Sequence, residues 1–371
     1  MIYLDNAATS WPKPEEVYRA MDDFARNHAA NPGKGGHRMS RASAERVQEA
    51  RSALARLLGT RPEQVVLTLN ATDALNIAIK GFLSDGDHVV TSVMEHFSVS
   101  RSLAALERAG RIRVTRVMPE PDGRISPGAV KSAVTSRTRL IAVVHASNVL
   151  GTLNPVEEYR SGSALLLVDA AQTAGLVAIH PDAADLIAMT GHKNLFGPMG
   201  TGALYVREGV NLRAWREGAS GPSPDQETQP EEMPDRLEAG TPNAPGLAGL
   251  AAGLGFIEKT GRESILLHKR DLAERFREGI AGRPRVRIHG RNDLGTVSVT
   301  IEGVDPKEAG RHLDEEYGIA CRPGTHCAPG VHRFLGTLPG GTIRFSFGIF
   351  NTPQHADVAA EAVRRIAGGK A

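Results

Sequence analysis

An aspartate and a lysine, each closing an apolar run, are the residues of this chain whose types and placement first suggest chemistry. The run Leu165-Leu166-Leu167-Val168 ends in Asp169, and Asp185-Leu186-Ile187-Ala188-Met189 leads through Thr190-Gly191-His192 to Lys193. A carboxylate at the end of a buried strand is costly unless a cation faces it. A lysine at a strand end beside a Gly-rich turn can act as a Schiff-base nucleophile. Singly, each has an ordinary reading, the Asp as a turn cap and the Lys as a solvated charge. Together they are the pair that pyridoxal 5'-phosphate needs, the Asp keeping the ring nitrogen protonated and the Lys holding the aldehyde. The phosphate needs its own cradle. Leu67-Thr68-Leu69-Asn70-Ala71-Thr72-Asp73 follows a strand signal and opens a helix, so backbone N–H groups and the Thr72 hydroxyl can face an anion, with a plain helix cap as the alternative. Arg344, inside the β-type run Thr342–Phe347, calls for an anionic partner, either a substrate carboxylate gripped by both guanidinium arms or a structural acid.

The two cysteines, Cys321 and Cys327, fall in one short window of a 371-residue chain. That excludes a disulfide scaffold, and their spacing with His326 and His332 fits no common zinc pattern, so no metal site is expected. The Gly and Pro residues of Cys321-Arg322-Pro323-Gly324-Thr325-His326-Cys327-Ala328-Pro329-Gly330 predict a loop able to reach into a cleft. A thiolate is the nucleophilic form, and Arg322 and His326 are the neighbours able to supply positive charge. Cys321, after a strand signal over Tyr317–Ala320, reads as a small buried hydrophobe.

The elements that must position these residues alternate along the chain. Helical spacing covers Glu15–His28 and Ser43–Leu58, then Asp73–Phe82 and Val99–Ala109. Between them lie the short apolar runs Val65–Leu67, Val89–Val90, Ile112–Val114, Leu140–Val144 and Leu165–Val168. Strand and helix repeated in this way predict a mostly parallel sheet flanked by helices, with ligands at the carboxyl ends of its strands. Gly218–Pro234 reads as an exposed loop. Helices over Gly246–Glu258 and Ser264–Ile280, β-type segments at Gly295–Ile301 and Thr342–Phe347, and a helix over Pro353–Ile366 predict a second, small α/β domain. The expected division is a large domain over 15–250 and a small domain made of 1–14 and 251–371.

Composition narrows the function classes. With 41% hydrophobic and 23% charged residues the chain is neither disordered nor membrane-embedded, and a net charge of +2 without a basic block argues against a nucleic-acid partner. No apolar run approaches the ~18 residues of a membrane span, and Met1–Asn6 has no signal-peptide character, so a soluble, cytoplasmic protein is expected.

Five motifs occur in the order seen in the class V aminotransferase family of pyridoxal-phosphate enzymes: Met94-Glu95-His96, Ser147-Asn148-Val149-Leu150-Gly151-Thr152, Val168-Asp169-Ala170-Ala171-Gln172, Thr190-Gly191-His192-Lys193 and Ala239-Gly240-Thr241-Pro242-Asn243. The chain resembles that family from Tyr3 to Thr352, and within it the cysteine desulfurases and selenocysteine lyases. The resemblance implies a fold-type I pyridoxal-phosphate transferase, with a mostly parallel seven-stranded sheet and a small α/β domain carrying the Cys327 loop and Arg344.

It also implies roles. Lys193 would bond the cofactor aldehyde and move a proton at the substrate, Asp169 would pair with the pyridine nitrogen, and Gln172 would bond the phenolic oxygen. His96 would lie over the ring as an acid/base. Ala71, Thr72, Thr190 and His192 would cradle the phosphate, and Thr241 would reach the phosphate of a neighbouring subunit, making a homodimer. Arg344 and Asn148 would hold the substrate carboxylate, with Asn6, Ala7 and His37 lining the cleft. Cys327, in a Gly-x-His-Cys-Ala context, would take the sulfur of L-cysteine as a persulfide, release alanine and pass the sulfur to a protein acceptor. The nearest alternatives on the same site are a selenocysteine lyase, a C–S lyase or an aminotransferase. Cys321 matches no catalytic position in the family.

Overall fold

A computed structural model describes residues 1–33, 35–221 and 227–368. The first part of the chain forms β1 (Ile2–Tyr3), α1 (Glu15–Asp23), α2 (Arg38–Leu58), β2 (Val65–Thr68), α3 (Ala71–Phe82), β3 (His88–Ser92), α4 (Phe97–Arg108), β4 (Arg113–Val117), α5 (Pro127–Ala133), β5 (Thr138–Val144), β6 (Leu165–Asp169), β7 (Leu186–Thr190) and β8 (Gly202–Val206). The remainder forms α6 (Ala244–Thr260), α7 (Arg262–Ile280), β9 (Val286–His289), β10 (Thr296–Ile301), α8 (Pro306–Tyr317), β11 (Ile319–Ala320), β12 (Arg322–Gly324), α9 (Pro329–Leu335), β13 (Thr342–Ser346) and α10 (Pro353–Ala367).

Among the described residues a seven-stranded sheet runs in the order β2-β8-β7-β6-β5-β3-β4. The pairs among β3, β4, β5, β6 and β7 are parallel, and β8 is antiparallel to both of its neighbours. The mostly parallel seven-stranded sheet expected from the resemblance is therefore present. Its inner strands read as unbroken apolar runs because both faces are covered. Alternate residues point to opposite layers: Ile141, Leu166, Val168 and Ile187 pack on one side, and Leu140, Ala142, Leu167 and Leu186 on the other. Strand β8 is invisible to pattern reading, since it is five residues long, opens at Gly202 and has no polar alternation.

A four-stranded antiparallel sheet, β12-β13-β10-β9, lies under α7, α8 and α10 around Phe276, Phe345 and Phe347. The N-terminal segment joins this unit: β1 pairs with β11, Leu4 enters its core, and Asp5 bridges to Ser346. Helix α6 spans the expected boundary at 250/251, and its Leu254 and Ile257 pack into the core of the first sheet.

Several elements differ from the sequence expectation for local reasons. Helix α2 starts at Arg38 rather than Ser43, because His37 Nδ1 accepts the Ser40 N–H. The chain over Phe24–His28 leaves α1 as a wider π-type turn. Tyr317 ends α8, and Gly318, at φ +62°, caps it, so the strand expected over Tyr317–Ala320 shrinks to Ile319–Ala320. The expected Cys321–Gly330 loop is half regular, and its irregular part, 325–328, carries Cys327. Arg322–Gly324 is an edge strand, where Pro323 needs no ladder donor, and Pro329 opens α9 at a position that suits a missing N–H. Of the expected Gly218–Pro234 loop, residues 222–226 lie outside the described residues.

Candidate active site

Parallel strands deliver their carboxyl ends to one edge of the sheet, and the singled-out residues meet there. A cavity of about 300 Å³ is lined by Ala7, Ala71, Thr72, His96, Asn148, Asp169, Gln172, Thr190, His192, Lys193 and Arg344, together with Arg322 and Ser98. Lys193 follows β7 through Gly191. A Cβ at Gly191 would lie 3.0 Å from the Thr201 carbonyl oxygen and on top of its hydroxyl, so only glycine lets the turn close this tightly. Burial pushes the Lys193 amine down to about 8. Asp169 opposes that shift, and the Arg344 and Arg322 cations reinforce it. An amine with this value is deprotonated often enough near neutral pH to attack a carbonyl.

Asp169 is buried at the end of β6, and one carboxyl oxygen accepts the Ala171 N–H at 3.0 Å. It therefore caps its turn, as the ordinary reading has it, and also faces the cavity. Burial raises its pKa, opposed by the Ala171 N–H and by Lys193. A carboxylate so placed gains most from a cation brought into the cavity, which a protonated pyridine nitrogen supplies.

His96 caps α4, its Nδ1 accepting the Ser98 N–H at 3.2 Å, with Ser98 Oγ 2.8 Å from the same nitrogen. Nδ1 is thus bare and Nε2 carries the proton. Burial, then Lys193, Arg322 and Arg344, hold His96 down to about 4, so it is a neutral donor at physiological pH. Ser98 Oγ also lies 2.7 Å from Thr72 Oγ1, linking the ring to the first turn of α3. There Asn70 caps Asp73 N–H, and the early N–H groups face an anion site. Thr190 Oγ1 lies 3.0 Å from His192 Nδ1, and burial, Lys193 and Lys13 keep His192 down to about 4. An aldehyde-reactive lysine, a buried carboxylate and a helix N-terminus are the donor set that pyridoxal phosphate requires, and the residues fit it.

Other residues are engaged differently from the expectation. The Gln172 amide donates to the Ala7 carbonyl at 3.0 Å, and Asn148 Nδ2 to the His326 carbonyl at 2.8 Å. Asn148 therefore holds the cysteine segment as well as lining the cavity. Asn6 is buried, donates to the Ser346 carbonyl at 3.0 Å and pins the N-terminal segment, outside the cavity lining. His37 is an exposed helix cap, also outside that lining. Thr241 lies exposed on a separate open groove of about 1620 Å³, with Arg51, Leu67 and Asn243. Arg344 is fully buried. Its Nη2 meets Asp5 Oδ1 at 2.6 Å and its Nη1 donates to the Asn148 carbonyl at 3.0 Å, while Nε has no partner. Both sequence readings of Arg344 thus have a footing: a structural carboxylate on Nη2 and a donor without a partner at Nε.

Cys327 sits between β12 and α9, with its Sγ 3.4 Å from Arg322 Nη2. His326 and Cys327 take φ of +51° and +58°, which costs roughly 1–2 kcal/mol each without a glycine and needs a surrounding scaffold. His326 does not supply positive charge. It is buried, and desolvation with Arg344 pushes it far below the ordinary imidazole range, so Arg322 is the cation at the sulfur. Cys321 packs against the second core, and burial raises its thiol to about 12. Among the described residues no group of three or more His, Cys, Asp or Glu side chains is arranged to hold a metal ion, and no helix is long and apolar enough to cross a membrane.

Sequence reasoning missed Asp5, Ser98 and the buried Glu95, which burial raises to about 8 and whose Oε1 accepts the Ser92 hydroxyl. It also missed Lys269 of α7, whose Nζ donates to Asn194 Oδ1 at 2.7 Å, while the Asn194 amide donates to the Gln172 carbonyl at 2.7 Å. Glu95 stands inside a motif already noted. The others carry no local signal.

The sheet order, the lysine and aspartate at adjacent strand ends and the helix N-terminus beside them define an α/β enzyme of the aldehyde-cofactor class. The family model for class-V aminotransferases matches residues 2–359, and the chain belongs to that family. It is 32% identical to a protein of Methanothermobacter thermautotrophicus named "Probable cysteine desulfurase", over 99% of this chain and 95% of that one. Among solved structures it is similar to a cysteine desulfurase from Thermococcus onnurineus (TM-score 0.92, 32% identity, 99% and 95% of the two chains). It is also similar to the cysteine desulfurase CsdA of Escherichia coli (TM-score 0.88, 28% identity, 98% and 94%).

Proposed function

We propose that this chain is a pyridoxal-phosphate-dependent cysteine desulfurase that converts L-cysteine to L-alanine and takes the sulfur on Cys327. The observation that carries the reading is the free thiol of Cys327 against the guanidinium of Arg322, a residue that lines the cavity together with Lys193 and Asp169, although Cys327 itself is not part of that lining. The names of the relatives support the same activity. The bound cofactor supplies a covalent hold on the substrate amine and a sink for the electrons of the Cα bond.

The residues divide the remaining work. Arg344 offers Nε and its guanidinium edge to the substrate carboxylate, beside Asn148. Lys193 Nζ, close to neutrality in its proton affinity, moves the proton at the substrate Cα. With the cofactor bound, Asp169 would pair with the pyridine nitrogen, Gln172 would hydrogen-bond the phenolic oxygen, and Ala71, Thr72, Thr190 and His192 would hold the phosphate. His96, with its proton on Nε2, would lie over the ring as an acid/base. Cys327 Sγ, as thiolate beside Arg322, attacks the substrate sulfur. An S–S bond forms as the substrate C–S bond breaks, and its electron pair stays on carbon and is protonated, so alanine leaves and no external oxidant is needed. In a homodimer a second copy of the chain would cover the groove bearing Thr241, and that hydroxyl would reach the neighbouring subunit's phosphate. The division into a large domain, 15–250, and a small one, 1–14 with 251–371, belongs to the same proposal, as does a protein sulfur acceptor.

The test supplies L-cysteine, L-selenocysteine and L-cysteine sulfinate in parallel to the holoenzyme and to Cys327→Ala, and measures alanine. Loss of alanine from L-cysteine in the variant, by about a hundredfold or more, is expected for a nucleophile. Unaltered alanine formation would refute persulfide chemistry on Cys327 and favour a selenocysteine lyase on the same site, while pyruvate in place of alanine would mark a C–S lyase.

A further inference from the structure

We infer that His332 and Thr337 are positioning residues for Cys327, acting through the ring of His326. This rests on the desulfurase reading for its consequence but not for its geometry. His326 Nε2 lies 2.9 Å from the Arg322 carbonyl oxygen, and a carbonyl only accepts, so Nε2 carries the ring proton. Nδ1 of neutral His326 is then bare. His332 Nε2, 3.3 Å away, is its donor. That leaves His332 Nδ1 bare, 2.8 Å from Thr337 Oγ1, whose hydroxyl donates to it. The order Thr337–His332–His326–Arg322 thus runs in one direction, with the Thr325 backbone as a further hydrogen-bond partner of His332. The two rings are stacked with centroids 5.5 Å apart, and both are buried.

The chain ends on both halves of the sulfur site. Its last acceptor is the carbonyl of Arg322, the residue whose guanidinium faces Cys327 Sγ. Its middle member, His326, immediately precedes Cys327 and shares its left-handed backbone. On the other side the His326 carbonyl is gripped by Asn148, whose own carbonyl accepts from Arg344. The ring and the backbone of one residue are thus tied to two different walls. Thr337 is in turn fixed by its N–H to the His332 carbonyl at 2.9 Å and by its carbonyl to the Gly341 N–H at 2.7 Å. A loop held in this way presents the thiol at one place rather than sweeping through the cleft.

The test compares Thr337→Val, which keeps the shape and removes the donor, with Thr337→Ser, which keeps the hydroxyl, in the pyridoxal-phosphate-loaded enzyme. Two readouts are taken: amide hydrogen exchange of the peptide spanning residues 322–332, and single-turnover sulfur transfer to Cys327 beside the spectral change on L-cysteine binding. Thr337→Val is expected to speed loop exchange and to slow transfer by roughly fivefold to tenfold, the factor one lost hydrogen bond represents, with the binding change intact. Thr337→Ser is expected to restore both. Equal loop exchange in wild type and Thr337→Val, or failure of Thr337→Ser to restore it, overturns the inference, as does a fall of binding and transfer together. Faster exchange in a protein whose wild type never loads Cys327 would sustain the positioning role and refute the desulfurase reading instead.

Discussion

At the scale of single residues, the site works by withholding charge from groups that usually carry it. Burial lowers Lys193 to about 8 and His96 to about 4, while Glu95 rises to about 8. His96, Lys193, Arg322 and Arg344 crowd one cavity, and neutralising His96 and partly neutralising Lys193 leaves the fixed guanidinium groups, Arg322 and Arg344, as the anion-binding charges. Arg344 holds Asp5 and still leaves Nε open. Arg344→Lys keeps a positive charge but loses the planar fork, so the KM for L-cysteine is expected to rise about tenfold or more with the cofactor absorbance unchanged. Titrating substrate against initial rate checks this, and an unchanged KM would remove Arg344 from substrate binding. Asp169, Lys193 and Cys327 were legible in the sequence because each directly follows an apolar run or stands in a Gly- and Pro-marked turn, and Thr72 because a helix start follows a strand signal there. Asp5 was not, because its partner lies 339 positions away and only the fold brings the two together.

At the scale of elements, the cysteine segment owes its geometry to being short and braced at both ends. Strand β12 pairs with β13, registering Arg322 opposite Arg344, and α9 begins two residues after Cys327. The helix presses on the other side of the cleft: a Cβ on Gly330 would lie 1.8 Å from the Val93 carbonyl oxygen. The Phe97 N–H also donates to the Cys327 carbonyl at 2.8 Å, tying the start of α4 to the segment. Gly330→Ala must therefore push α9 away from the end of β3 and carry Cys327 with it. A loss of roughly 1–3 kcal/mol in denaturant stability, with a larger fall in sulfur transfer than in substrate binding, is expected. Wild-type stability and transfer in that variant would show that the two elements are not in contact as described. The long apolar strands and capped helices were readable from periodicity. Strands β8, β9 and β12 and helix α8 were not, since their short or polar sequences take form from pairing and packing rather than from local preference.

At the scale of the whole molecule, the site lies where two packing units meet. The seven-stranded sheet supplies Lys193 and Asp169, and the antiparallel sheet with the N-terminal segment supplies Arg344, Arg322 and Asp5. A buried amine crosses the same boundary. Lys269 of α7 reaches Asn194, next to Lys193, without an acidic partner among the described residues, and burial drops it from 10.5 to about 7. Its pKa is lower folded than unfolded, so the cost of burying it is full below about pH 7 and shrinks as pH rises toward its unfolded value. Lys269→Met should therefore be most stabilising, relative to wild type, at about pH 6, and progressively less so toward about pH 9. Urea melts across that range check the sign, and a difference that grows with pH would contradict it.

The central claim is that Cys327 receives sulfur from an amino acid held by the Lys193 and Arg344 sides of one cavity. Its most direct measurement is mass spectrometry of the Cys327 peptide after one turnover of holoenzyme with L-cysteine, with alanine counted in the same sample. One added sulfur on Cys327, matched by one alanine per loaded site, is the predicted result. Alanine formed while Cys327 stays unmodified, or no sulfur on Cys327 at any substrate concentration, would contradict the account.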